Sequence, residues 1–171
     1  MLEIEVKLPV ADPKAFRETL ISAGARLEKE RTAEDNTLYD FRSGELRKKG
    51  QALRLREAGR KTFLTFKGTP QKSRRFKVRD EFETEVRNGK QVRRILRSLG
   101  LIPAFRYRKH RTVFRKGTVK ICLDETAVGN FAELEGERSD IVRLAKTLGF
   151  SPAQMIKRDY VELIQEAGKA V

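Results

Sequence analysis

A strand-rich α+β fold is predicted for this chain. Short segments alternate polar and apolar residues with period two, four stretches carry apolar residues at helical spacing, and no repeat or linker divides the 171 residues. The first strand is read at 2–8, with Leu2, Ile4, Val6 and Leu8 on one face and Glu3, Glu5 and Lys7 on the other. Pro9 breaks it. Asp12 is placed to cap a helix that begins at Pro13, shows Ala15, Phe16, Leu20 and Ala23 on one stripe, and stops at Gly24. An extended segment follows over 26–41, then strands at 52–57, 62–67 and 77–87. The stretch from Gly68 to Lys77, with Lys72, Arg74 and Arg75, reads as a basic loop. A second helix is expected over 88–99, opened by Asn88 and closed by Gly100, with Val92, Ile95, Leu96 and Leu99 apolar. Strands return at 105–115, 118–124 and 130–137, with a tight turn at Arg115-Lys116-Gly117, and two helices, 139–148 and 152–167, close the chain.

Length and composition suit one domain over 1–171 with a real core. The 38 Lys and Arg against 24 Asp and Glu leave a net charge of +14, which points to an anionic partner. No apolar run is long enough to span a membrane and no signal-peptide core is present, so a cytoplasmic protein with no membrane partner is expected. Cys122 is the only cysteine, which excludes a disulfide framework and a thiolate metal cluster.

The charged faces carry the chemistry. Counted by parity, they collect Glu3, Glu5 and Lys7, then Arg54 and Arg56, Thr65 and Lys67, and Arg79, Glu81, Glu83 and Glu85. Lys109 and Arg111, Lys120 and Asp124, and Glu133 and Glu135 complete the set. Two readings follow. The strands can form an antiparallel sheet whose charged face is simply wet. Alternatively the sheet curls with its charges inside, which requires a water-filled interior, because an unpaired buried ion costs several kcal/mol. The apolar faces would then point outward, to be covered by the helices.

The Glu3-x-Glu5-x-Lys7 signature is followed in order by Arg54-x-Arg56, Lys67 after Thr65, Glu81-x-Glu83, Lys109-x-Arg111, Asp124 and Glu133-x-Glu135. This series resembles the CYTH superfamily, the triphosphate tunnel metalloenzymes, which include class IV adenylyl cyclases, thiamine triphosphatases and inorganic triphosphatases. The likeness runs from Glu3 to Tyr160. It implies an eight-stranded antiparallel β barrel forming a charged tunnel, and so selects the second reading.

The resemblance also implies a site. Carboxylates two apart on a strand, roughly 7 Å between Cα atoms, suit a hard divalent cation, Mg²⁺ or Mn²⁺. The metal set is Glu3, Glu5, Glu133, Glu135 and Asp124, with Glu81 and Glu83 in a second metal site or orienting the bases. Lys7, Arg54, Arg56, Lys67, Lys109 and Arg111 form the clamp for a nucleoside or inorganic triphosphate. Lys7, Glu5 and Arg56 are the catalytic candidates, and Arg79 and Lys120 are weaker ones that fit a solvated rim. His110 falls on the opposite parity and reads as structural, Cys122 shares the tunnel parity without being a nucleophile, and Tyr160 packs a helix. Length, the Asp124–Glu135 segment and the terminal helices resemble the class IV cyclase branch, which would convert ATP to cyclic AMP and pyrophosphate. The His-Phe pair that precedes the motif in bacterial members is missing here, which keeps triphosphate hydrolysis as the alternative. Nucleotide binding without catalysis, and RNA binding by the remaining Lys and Arg, rank lower, and a homodimer is compatible with the sequence.

Overall fold

The structure is a computed structural model that describes residues 2–168. Eight strands close into an antiparallel barrel: β1 (Leu2–Val10), β2 (Arg26–Asp40), β3 (Ala52–Ala58), β4 (Lys61–Lys67), β5 (Lys77–Val86), β6 (Ile102–Lys116), β7 (Val119–Thr126) and β8 (Gly129–Glu135). Around the barrel the order is β1-β5-β4-β3-β2-β6-β7-β8, with β8 returning to β1. Consecutive strands pair except β1 with β2 and β5 with β6, each separated by a ten-residue helix. The β6–β7 hairpin turns at Gly117, whose φ of +57° is open to glycine at little steric cost.

Polarity is inverted relative to an ordinary sheet protein, because the main core lies outside the barrel wall. Val6, Leu8, Val78, Phe114, Ile121 and Leu134 face outward against Phe16 and Leu20 of α1 (Pro13–Ser22) and against Ile141, Leu144 and Ala145 of α4 (Arg138–Thr147). A smaller cluster sets Leu96 of α3 (Gly89–Ser98) on Tyr39 and Leu55. Each such aliphatic side chain contributes about 1.5–3 kcal/mol when fully buried, so the helices hold the strands in a curved wall. Asp12 caps α1 by accepting from the Lys14 and Ala15 amides, and Asn88 caps α3 by accepting from that of Gln91.

Three expectations need correction. Pro9 does not break the first strand: β1 runs on to Val10, with Pro9 opposite Phe131, because the N–H that proline lacks falls on the side β5 leaves at Glu5. A four-residue helix, α2 (Glu45–Lys48), joins β2 to β3; Asp40 organises it by accepting from the Leu46 and Arg47 amides. The last helix is not continuous. A 3₁₀ turn at Pro152–Gln154 leads to Ile156, which exchanges two backbone hydrogen bonds with Lys7 at 2.8 and 3.1 Å before α5 (Tyr160–Glu166) begins. The register explains this: β5 leaves β1 at Glu5, so the Lys7 amide and carbonyl need partners that a helix could not supply.

Candidate active site

The barrel encloses a cavity of about 880 Å³, counted to its open mouth. Into it point all six residues of the expected clamp, Lys7, Arg54, Arg56, Lys67, Lys109 and Arg111, together with Glu3, Glu5, Glu81, Glu83, Glu133 and Glu135. Arg79 is buried in the wall and not at the rim, whereas Lys120 and its partner Glu135 do form the rim, 38 % exposed each. Glu85 pairs with Lys61 at the surface and leaves the tunnel.

Antiparallel register builds the ion network strand by strand. Lys67 stands opposite Glu81 and lies 2.5 Å from it, and its Nζ donates to both Glu3 oxygens at 2.8 and 2.9 Å. Burial raises the Glu3 pKa, an effect that neighbouring Glu81 reinforces and Lys67 opposes. Across the cavity, Lys7 donates to Glu133 at 2.8 Å, and Arg111 contacts both Glu133 and Asp124. Burial alone would raise the Glu133 pKa, but Lys7 and Arg111 hold it well below the usual carboxylate range. Lys7 rises above its ordinary value because Glu133 and Glu5 outweigh its burial.

Two acids behave differently from one another. Asp124, expected beside the metal, is fully buried with both oxygens taken: Lys109 donates at 2.9 Å, Arg111 at 2.6 and 2.5 Å, and the Tyr160 hydroxyl at 2.5 Å. Glu5 has no hydrogen-bond partner among the described residues, and its one ion-pair contact is Arg79 at 3.9 Å. Register sets it directly opposite Glu135, a like-charge pairing that a cation would relieve. Among the described residues no three carboxylates converge tightly enough to hold a cation alone. Mg²⁺ commonly binds through one or two carboxylates and completes its shell with water and phosphate oxygens, and the Glu5–Glu135 pair fits that pattern.

Some site residues escaped the sequence reading. Glu34 of β2 is 2 % exposed and salt-bridges Arg56 at 3.3 Å. Burial would raise its pKa, but Arg111, Lys109 and Arg56 keep it low. Asn36, two residues on, also faces inward. Tyr160 does more than pack a helix. Its ring enters the barrel end beside Tyr107 and Phe131, with Lys7 and Lys109 at 4.6 and 4.5 Å from its centre, so α5 stoppers that end. Burial pushes the Cys122 thiol up, which keeps it protonated.

Asp159 holds α5 in place. It accepts from Arg47 at 2.9 Å and Lys77 at 3.4 Å and caps the helix in a box with Glu162. Burial opposes ionisation, but Lys77 and Arg47 draw its pKa from 3.8 to about 2. A depressed acid stabilises the fold above its unfolded pKa and loses that contribution as pH falls through the folded one. Asp159→Asn should therefore cost about 2 kcal/mol above pH ~4, and the gap should close toward pH ~2. Denaturant titrations of both proteins across that range check this.

Comparison with known proteins agrees with this architecture. The CYTH domain profile matches residues 1–158. Proteins that bear the name putative adenylate cyclase include two of matching length. One, from Methanocaldococcus jannaschii, is 28 % identical over 95 % of this chain and 98 % of its own. The other, a solved structure from Vibrio parahaemolyticus, superposes with a TM-score of 0.82 at 24 % identity over 96 % of this chain and 98 % of its own. A Hippeastrum structure, described as a putative adenylyl cyclase with a dominant triphosphatase activity, aligns with a TM-score of 0.68 at 19 % identity over 99 % of this chain and 97 % of its own. No helix of the described residues is long and apolar enough to cross a membrane. With the profile covering the whole barrel and the helix after it, this chain belongs to the CYTH domain family.

Proposed function

We propose that this protein is a metal-dependent enzyme of triphosphate chemistry that converts ATP to cyclic AMP and pyrophosphate. The supporting observation is convergence: six Lys and Arg side chains of the clamp meet the Glu5–Glu135 pair in one enclosed tunnel. The buried Nε atoms of Arg54, Arg56 and Arg79 have no hydrogen-bond partner, so the wall holds donors still to be used. Lys7, Lys67 and Lys109 serve as point charges and the arginines as forks on phosphate oxygens. Glu5 and Glu135 would hold Mg²⁺ or Mn²⁺, with Glu3 and Glu133 completing the acidic wall and Asp124 anchoring the bases. Glu81 and Glu83 orient Lys67 and Arg56. A bound divalent ion would supply charge neutralisation for the triphosphate.

Catalysis on this reading is positioning and charge stabilisation. The ribose 3′ oxygen bonds to the α-phosphorus as the bond to the pyrophosphate oxygen breaks, and the hydroxyl proton passes to tunnel water. Lys7 and Arg56 stabilise the charge gathering on the departing pyrophosphate. The triphosphatase activity described for the Hippeastrum protein makes hydrolysis the outcome to be separated from cyclisation.

Purified protein incubated with ATP, and separately with tripolyphosphate, in Mg²⁺ or Mn²⁺ separates them. Cyclic AMP with pyrophosphate supports the proposal, orthophosphate alone selects hydrolysis, and no turnover of either rejects an enzyme. Arg56→Ala should weaken triphosphate binding by about 2 kcal/mol, roughly thirtyfold, as measured by titration calorimetry.

A further inference from the structure

The basic loop between β4 and β5 takes no part in the tunnel, yet it is tied down on three sides. The Gln71 amide donates to the Val78 carbonyl at 2.7 Å, the Thr69 hydroxyl to the Lys49 carbonyl at 2.9 Å, and the Lys157 ammonium to the Ser73 carbonyl at 2.9 Å. A Cβ at Gly50 would stand 2.9 Å from the Pro70 ring, so the loop and the end of α2 meet without a gap. Between the loop, the end of α2 and the start of α5 lies a cavity of about 740 Å³, counted to its mouth. Arg47, Lys77 and Lys157 reach it from three separate segments, with Gln71 and Ser73 on the loop side.

Charge there is one-sided. Segments 46–50, 70–77 and 157–162 carry nine Lys and Arg against two acids, Asp159 and Glu162. Both acids are already engaged: Asp159 accepts from Arg47 and Lys77, and Glu162 accepts from the Asp159 amide at 2.7 Å. Lys48, Lys49, Lys72, Arg74 and Arg75 are exposed and have no ion-pair partner among the described residues. Lys77 is mostly buried, and burial with Arg79 nearby draws its pKa down although Asp159 opposes them. That ammonium is short of counter-charge.

A concavity ringed by like charges is relieved by a compact polyvalent anion that several donors hold at once. Phe76 is the one aromatic ring among the described lining residues, and it is buried in the outer core, so no ring face is open for a base to stack on. We infer that this cavity is a second oxyanion site, separate from the tunnel, that takes a small polyvalent phosphate such as pyrophosphate against Arg47, Lys77 and Lys157.

The test uses protein stripped of divalent metal, in which the bases and acids of the tunnel nearly cancel and its pull on an anion is weakest. Titration calorimetry with pyrophosphate should show one binding event. Lys157→Glu and Gln71→Glu bring a carboxylate to the cavity from exposed positions on opposite walls, and each should weaken that event about tenfold. Arg56→Ala, inside the tunnel, should leave it within about twofold. Loss of the event in Arg56→Ala, with both cavity variants like the parent, would put the ion in the tunnel and overturn the second site. So would no binding by the parent, or equal small losses in all three variants, the mark of diffuse attraction to the basic shell. No turnover enters these measurements, so the second site stands or falls apart from the ATP reading.

Discussion

Asp124→Asn is expected to lower the stability of the metal-free protein by about 3–5 kcal/mol, the cost of breaking a buried ion cluster from one side. The aspartate is the one group that Lys109, Arg111 and Tyr160 all share. An amide there keeps one acceptor oxygen but presents an NH₂ to donors, so Lys109 is left with Glu34 at 3.8 Å and Arg111 with Glu133 as their counter-charges. Denaturant unfolding in the presence of a chelator is the appropriate measurement, because it separates an anchor from a ligand. An anchor gives its full loss without metal. If Asp124→Asn unfolds like the parent in chelator and differs only when Mg²⁺ or Mn²⁺ is added, Asp124 is a metal ligand after all.

Glu5→Gln should act chiefly on the metal. Glu5 has no hydrogen-bond partner to forfeit, and relief of its like charge facing Glu135 offsets the lost attraction to Lys7, Lys67 and Arg79, so metal-free stability should change by less than about 1 kcal/mol. The metal concentration for half-maximal turnover should rise about ten- to a hundredfold, with Glu135→Gln following in the same direction. Metal titrations of the reaction rate at fixed ATP read this directly. An unchanged titration curve in both variants would remove Glu5 and Glu135 from the metal site.

Much of this site was legible because strands obey parity. Glu3, Glu5, Lys7, Arg54, Arg56 and Lys67 all fall on one face by simple alternation, and all line the cavity. Parity alone did not say whether that face was inside or out; the family resemblance did, and the outward clusters under α1, α3 and α4 agree. β2 was unreadable for a local reason. Its first half is polar on both faces and slips register between Leu27 and Lys29 and again between Lys29 and Thr32, so counting from its start loses phase before Glu34 and Asn36. Tyr160 was misplaced because a tyrosine in an amphipathic stretch normally packs sideways, and nothing local reveals that its hydroxyl reaches Asp124 inside the barrel. The Asp159-x-x-Glu162 capping box was available in the sequence and would have put the start of α5 in its observed place.

The near-cancellation of charge within the tunnel has a kinetic corollary. Eight bases and seven acids line it, with Glu34 and Asp124 close behind, so almost all of the +14 excess is carried by the outer shell. Such a shell draws anions toward the molecule from beyond contact range, and the Debye length, about 8 Å at physiological ionic strength, limits that reach. Added salt should therefore slow capture of a triphosphate far more than it hastens its escape, since the bound ligand sits among partners that bulk ions do not enter.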